Sequence, residues 1–270
     1  MLLPPGELST SAAVAGVRIP RDVNRRLGRA MHDYGMLAAG DRVLVAVSGG
    51  LDSLVLLAVL LQWRRKAPID YQVQAVHVDM EPQASGPGPA ARQVAEAVGT
   101  LGEDLCILAA QYRPTESEIA SAERSGQDLC FHCARSRRTQ LFAHARQEGL
   151  SKLALGHHRD DIIETFLLNL TCAGNISTMI PLQSLFSGRL SLIRPLAYLD
   201  KAEVENLGRE AGLMPVRSTC PLSERTRRRD IHQLAEQIYQ QIPGAKEHIF
   251  AALGNVRFDY LLKQRGGRRP

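Results

Sequence analysis

Apolar and polar stretches alternate along this chain in blocks that read in turn as strands and helices. Val43–Val47 is an unbroken apolar run, the pattern of a strand buried on both faces of a parallel sheet. Tyr71–Val78, Leu105–Ala110, Leu153–Leu155 and Leu190–Leu196 read as four more strands. Helical spacing covers 21–36, with Val23, Leu27 and Met31 on one side, and then 54–61, 90–101, 133–149 and 162–170. Three further helices are expected near 200–211, 230–241 and 246–262. Residues 111–129 are polar and aperiodic, and their length favours a functional loop or lid over a plain connector. Repeated strand–helix alternation predicts an α/β fold built on a doubly wound parallel sheet, with a helical N-terminal lead and a helical C-terminal extension. The expected organisation is a poorly ordered leader over 1–20, one α/β domain over 21–215, and a basic helical extension over 216–270 packed on that domain.

Composition narrows the setting. An apolar share of 44% supplies a real core, yet no run reaches the ~18 residues needed to span a bilayer. MLLPPGELST lacks a basic segment before its apolar residues, so a cytoplasmic protein without a membrane anchor is expected. The net charge of +5 is unevenly placed: residues 201–270 hold 13 Lys/Arg against 8 Asp/Glu, and the rest of the chain balances. Arg225, Arg227, Arg228 and Arg229 cluster there, which suits a phosphate backbone or a solvated helix face.

The strongest local signal follows the first strand, where Ser48-Gly49-Gly50-Leu51-Asp52-Ser53 leads into an apolar helix. Glycines at a strand-to-helix turn let backbone N–H groups approach an anion, and the helix dipole favours its charge. The loop reads as a pyrophosphate cradle, although neither the Walker sequence nor GxGxxG occurs. A second group, Gly156-His157-His158-Arg159-Asp160-Asp161, stands between a buried strand and a helix, where ligands of such sheets bind. Asp160 and Asp161, with Glu164 after them, also fit a helix cap. Two histidines ahead of two carboxylates go beyond capping and suit a magnesium-bound triphosphate. Asp79, ending the second strand, either meets a nucleoside or begins a turn.

A third group is Cys130-Phe131-His132-Cys133, opening a helix that carries Arg135, Arg137, Arg138 and Arg146. Thiols at i and i+3 can share a metal, and the helix N-terminus lowers their pKa. Zinc would want four closed ligands, and only His132 and a distant Cys220 are at hand. Three cysteines on an iron–sulfur cluster would leave one iron open. Cys106 and Cys172 read as buried small hydrophobes.

SGGLDS resembles the loop of the PP-loop ATP pyrophosphatases, which adenylate a substrate oxygen. With GHHRDDIIET the resemblance sharpens to the tRNA-modifying branches, lysidine synthetases and the thiolation group. CxxC, CARSRRTQLF, RPLAYLDKAEV and MHDYGMLAAGDRVLVAV are similar to segments of the TtcA-like thiolation group, so the likeness spans roughly 22–260. It implies ATP and Mg²⁺ over Ser48, Gly49, Gly50, Leu51, Asp52 and Ser53, with Asp79, Gly156, His157, His158, Asp160 and Asp161. It implies a 4Fe–4S cluster on Cys130, Cys133 and Cys220, with Asp52 and Asp161 sharing in catalysis. The implied reaction adenylates C2 of an anticodon-loop cytidine and replaces its oxygen with sulfur. Arg135, Arg137, Arg138, Arg225, Arg227, Arg228 and Arg229 would grip tRNA, a cysteine desulfurase would supply sulfur, and a homodimer is compatible. Two departures stand out: Leu51 replaces the usual Lys, and the later segment has Cys220 alone where two cysteines are common. Sulfur insertion into a small molecule and a zinc-stabilised nucleotide-binding module are the alternatives.

Overall fold

A computed structural model describes residues 17–125, 129–216 and 227–262. Of the residues expected to carry function, Cys220 and Arg225 lie outside the described residues. The described residues fall into two compact units. One draws on Met1–Asp160 and Ile180–Thr226, the other on Asp161–Met179 and Arg227–Pro270.

The first unit is built on a six-stranded sheet: β1 (Arg42–Ala46), β2 (Gln72–Asp79), β3 (Leu105–Ala109), β4 (Lys152–Ala154), β5 (Leu182–Leu185) and β6 (Leu190–Ile193). Their order is β3-β2-β1-β4-β6-β5, with every pairing parallel except β5 on β6. The chain first winds from β1 through β2 to β3, then returns to place β4 on the other side of β1. The winding therefore reverses between β1 and β4, and that crevice is where sheets of this class hold ligands.

Helices cover both faces, which is why Val43, Leu44 and Val45 are all fully buried. One face carries α1 (Arg21–Asp33), α2 (Leu51–Arg64), α3 (Pro89–Gly99) and α7 (Lys201–Glu210). Leu54, Leu56, Leu57 and Leu60 of α2 fill that core with Leu27, Val94, Val98, Val204 and Leu207. Burying each leucine contributes about 1.5–3 kcal/mol. The other face packs Leu44, Val76, Val78 and Leu153 against Leu141 and Ala145 of α5 (Leu129–Gln147). Val17, inside the stretch read as leader, already joins the core. Arg26 of α1 clamps α7 through both oxygens of Glu203, with Nη1 2.7 Å from Oε2.

Several local readings needed correction. Residues 111–129 are not irregular throughout, because α4 (Glu116–Ser125) forms inside them. Its start is a capping box: Thr115 N–H donates to Glu118 Oε2 at 2.7 Å, and Glu118 N–H to Thr115 Oγ1 at 3.2 Å. Strand β5 escaped notice because Gln183 and Ser184 are exposed and the element is four residues long. The strand expected over 190–196 stops at Ile193, just before Pro195.

In the second unit, α6 (Arg159–Cys172) contributes from Asp161 onward beside α8 (Arg227–Gln241) and α9 (Ala245–Leu253). Ile163, Leu167, Ile231 and Ala235 form its core. Glu164 Oε1 lies 2.7 Å from His232 Nδ1, so it ties α6 to α8 rather than closing a cap. The last helix ends at Leu253, where Gly254-Asn255 breaks it, and a single 3-10 turn follows at Phe258–Tyr260. Among the described residues no helix is long and apolar enough to cross a membrane.

Candidate active site

The two motif loops leave adjacent strands at the point where the winding reverses. Ser48–Ser53 follows β1, and Gly156–Asp160 follows β4. Gly49 has φ +90°, and a Cβ there would meet Val94 Cγ2 at 2.8 Å and Val216 Cβ at 3.3 Å. Only glycine fits that turn. The loop is braced from within: Ser53 Oγ donates to Gly50 O at 2.7 Å and accepts Ser48 N–H at 3.1 Å, while Gly50 N–H reaches Ser48 Oγ at 3.3 Å. Helix α2 begins at Leu51, with Ser53 and Leu54 N–H donating to Gly50 O at 3.1 and 3.3 Å, so the positive end of its dipole faces the turn. This is the local geometry of an anion cradle.

Gly156 locks the second loop onto the first. A Cβ there would stand 2.8 Å from Asp52 O and 3.0 Å from Ser53 N. His158 is buried between two carboxylates, with Nε2 3.9 Å from Asp52 Oδ2 and Nδ1 3.7 Å from Asp160 Oδ2. Asp160, also buried, caps a different helix from its own: its Oδ2 accepts Lys201 N–H at the start of α7, at 2.8 Å. Arg159 is committed to Asp200, with Nε and Nη2 at 2.7 and 2.5 Å from its two oxygens. Asp52 keeps 43% of its side chain exposed, which leaves a carboxylate at the mouth of the cradle. Asp161 follows in the first turn of α6 and is half-buried.

Arg194 carries a role the sequence reading missed. It is 6% exposed at the end of β6, where its Nε donates to His157 Nδ1 at 3.1 Å and its Nη1 to Ile180 O. With Nδ1 accepting, His157 carries its proton on Nε2. A charged residue directly after the apolar run LSLI was the signal available in the sequence. His77 on β2 was also overlooked; its Nδ1 donates to Val47 O at 2.7 Å and so fixes the entry to the cradle. Burial lowers the His77 pKa, against the opposing pull of that hydrogen bond and of Asp79.

Asp79 is 1% exposed, and its two oxygens accept Glu81 N–H at 2.8 Å and Gly88 N–H at 2.7 Å. It organises the turn from β2 towards α3.

Leu51, which stands where a lysine is usual, points away from the cradle. Its side chain lies on Gly208 of α7.

Cys130 and Cys133 lie one turn apart at the start of α5, half-buried, and neither is in a disulfide. Helices of this sheet run back from its carboxyl edge, so the start of α5 stands at the same edge as both loops. Among the described residues no cluster of three or more His, Cys, Asp or Glu forms a metal site, and Cys220 is outside them. Arg135, Arg137 and Arg138 are exposed on α5, as are Arg228 and Arg229 on α8, which Arg227 opens. Cys106 is half-buried with Sγ 3.9 Å from His144 Nε2, and burial raises its pKa. Cys172 is exposed, against expectation, because the apolar pattern of α6 stops before its last turn.

A family profile described as a PP-loop domain matches residues 20–234. The chain belongs to the PP-loop family. Within it, the chain is 38% identical over 247 residues to the tRNA-cytidine(32) 2-sulfurtransferase of Pelobacter propionicus, covering 90% of this chain and 89% of that one. It is 35% identical over 265 residues to that of Xanthomonas euvesicatoria, covering 94% and 84%. This PP-loop chain therefore belongs with the sulfurtransferase group. The U34-tRNA thiolase NcsA from Methanococcus maripaludis, solved with its [4Fe-4S] cluster, shares the fold. Its TM-score is 0.67 at 21% identity, over 90% of this chain and 81% of that one.

Proposed function

We propose that this protein is a cytoplasmic, ATP-dependent tRNA sulfurtransferase that replaces the C2 oxygen of an anticodon-loop cytidine with sulfur. What carries the reading is a juxtaposition in a chain of this family: the cradle at Ser48–Ser53 and the Cys130–Cys133 turn open at the same edge of one sheet.

In this reading the backbone of the Ser48–Asp52 turn, at the positive end of α2, wraps the pyrophosphate of ATP. His157, oriented by Arg194, presents Nε2–H as a neutral donor to the phosphates. His158 sits between Asp52 and Asp160 and fixes the second loop. A magnesium ion keeps most of its ligands from water and phosphate, so one half-exposed carboxylate, Asp52, suffices to anchor it. The cytidine O2 forms a bond to the α-phosphorus as the bond to pyrophosphate breaks. A carbonyl oxygen, otherwise a poor leaving group, is then able to depart as AMP when sulfur attacks C2.

Cys130 and Cys133 fit two positions of a 4Fe–4S cluster, since thiols one helical turn apart point the same way from a helix N-terminus. With Cys220 as third ligand, the bound cluster would supply the sulfur to be transferred, replenished by a donor such as a cysteine desulfurase. The exposed arginines of α5 and α8 supply charge for tRNA phosphates.

Nucleoside mass spectrometry of tRNA from a deletion strain tests the assignment. Loss of 2-thiocytidine, restored by the wild-type chain and not by Cys133→Ser, is expected. Persistence of every thionucleoside overturns it.

A further inference from the structure

The outer face of α1 is basic, and nothing in the chemistry above uses it. Residues 17–33 hold five arginines and two aspartates. Val23, Leu27, Ala30 and Met31 of α1 turn to the core. At ~100° per residue, Arg21, Arg25, Arg29 and His32 fall within about 80° of arc on the opposite side, and all four are exposed. Arg18 stands exposed just ahead of the helix. The row from Arg21 to His32 is roughly 16 Å long at ~1.5 Å per residue.

Both acidic groups of this stretch are occupied. Asp22 Oδ2 accepts Arg26 Nη2 at 3.2 Å, and Arg26 also reaches Glu203 of α7. Asp33 Oδ2 accepts the Tyr198 hydroxyl at 3.0 Å. Among the described residues no hydrogen bond or ion pair engages the guanidinium groups of Arg18, Arg21, Arg25 or Arg29.

The row is held in place before any partner arrives. Trp63 Nε1 donates to Asn24 Oδ1 at 3.0 Å, joining α1 to α2. Glu203 Oε2 accepts both Arg26 Nη1 at 2.7 Å and Asp200 N–H at 3.0 Å. Asp200 in turn holds Arg159 of the second motif loop. A chain of hydrogen bonds thus fixes α1 relative to the site, which spares binding the cost of ordering that helix.

The chemistry is that of a track for a polyanion. Guanidinium groups one helical turn apart suit successive phosphates, and arginine grips each through paired N–H donors. The face has no apolar anchor, which the centre of a protein–protein interface would need. Interfaces with nucleic acids are instead polar and strongly basic. α1 packs on the opposite face of the sheet from α5 and its Arg135, Arg137 and Arg138. We propose that α1 is a second RNA-contact surface, on which Arg21, Arg25 and Arg29 follow the phosphates of a tRNA stem and read no bases. A straight, rigid row matches the regular backbone of a stem. The inference rests on the tRNA reading above.

Fluorescence anisotropy with tRNA, over a series of salt concentrations, tests it. Replacing Arg21, Arg25 and Arg29 together by Gln should weaken binding about tenfold or more and lower the slope of log K against log salt by about 2–3. The matching Lys variant should keep the slope, because it keeps the charge. Arg25→Glu alone should weaken binding in the same direction. Losses should be equal for tRNAs of different loop sequence, and hydroxyl-radical footprinting should show protection of the stem backbone vanish. Unaltered melting temperatures would exclude unfolding as the cause. Wild-type affinity and slope in the Gln variant overturn the assignment to α1 alone, as does a loss confined to loop nucleotides or to one loop sequence. Failure of the wild-type chain to bind any tRNA overturns the tRNA reading itself. Intact tRNA binding with impaired sulfur delivery from a donor protein would mark the row as a protein-docking face, and would also overturn the proposal.

Discussion

Leu51 rests on Gly208: a Cβ added to Gly208 would stand 2.6 Å from Leu51 Cδ1 and 2.9 Å from its Cγ. The residue that departs from the usual lysine of this loop is thus a packing residue, joining the cradle to α7. Gly208→Ala sets a helix-propensity gain of up to ~1 kcal/mol against overpacking of about 1–3 kcal/mol. The expected outcome is net destabilisation, read as a lower urea midpoint, with a raised KM for ATP.

Leu51→Lys should leave ATP affinity within about threefold of wild type, since the side chain leaves the loop toward α7. Its stem would lie on Gly208 with the ammonium carried out to solvent. Equilibrium dialysis with ATP decides this. A gain of tenfold or more would mean that the cation reaches the phosphates.

The hydrogen bond from Arg194 to His157 predicts a functional defect out of proportion to its distance from the sequence motif. Arg194→Gln should cut ATP turnover about tenfold or more, by freeing the ring to adopt the other tautomer. Breaking hydrogen bonds of a buried cation also costs about 1.5–3 kcal/mol each in stability. ATP–pyrophosphate exchange and thermal melting would measure the two effects separately.

His77 gives the fold an acid-side limit. Its folded pKa is lowered by burial from 6.5, so the unfolded chain binds the proton more readily. Stability is complete above the unfolded value and falls as pH drops from about 6.5 toward the lower folded value. His77→Asn should flatten that part of the profile of urea midpoint against pH between 7.5 and 5.

Arg137 and Arg138 should act through phosphate charge. Replacing both by Gln is expected to reduce the salt dependence of tRNA binding, lowering the slope of log K against log salt by about 0.7–0.9 for each phosphate no longer neutralised. An unchanged slope would place these side chains outside the RNA interface.

The sequence by itself determined the alternation of strands and helices, and hence the sheet, because unbroken apolar runs such as Val43–Val47 have nowhere to go but between two helical layers. It also marked the two loops and the CxxC turn, since anion cradles and thiolate pairs depend on contiguous residues. The tertiary structure alone decided what lies between distant segments. Asp160 caps α7, Arg159 pairs with Asp200, Arg194 orients His157, and Leu51 packs on Gly208. None of these has a local signature, because each joins residues tens of positions apart. α4 and β5 were missed for a different reason: their apolar faces are too narrow to show a period, although the α4 capping box joins residues only three apart and β5 pairs with the nearby β6.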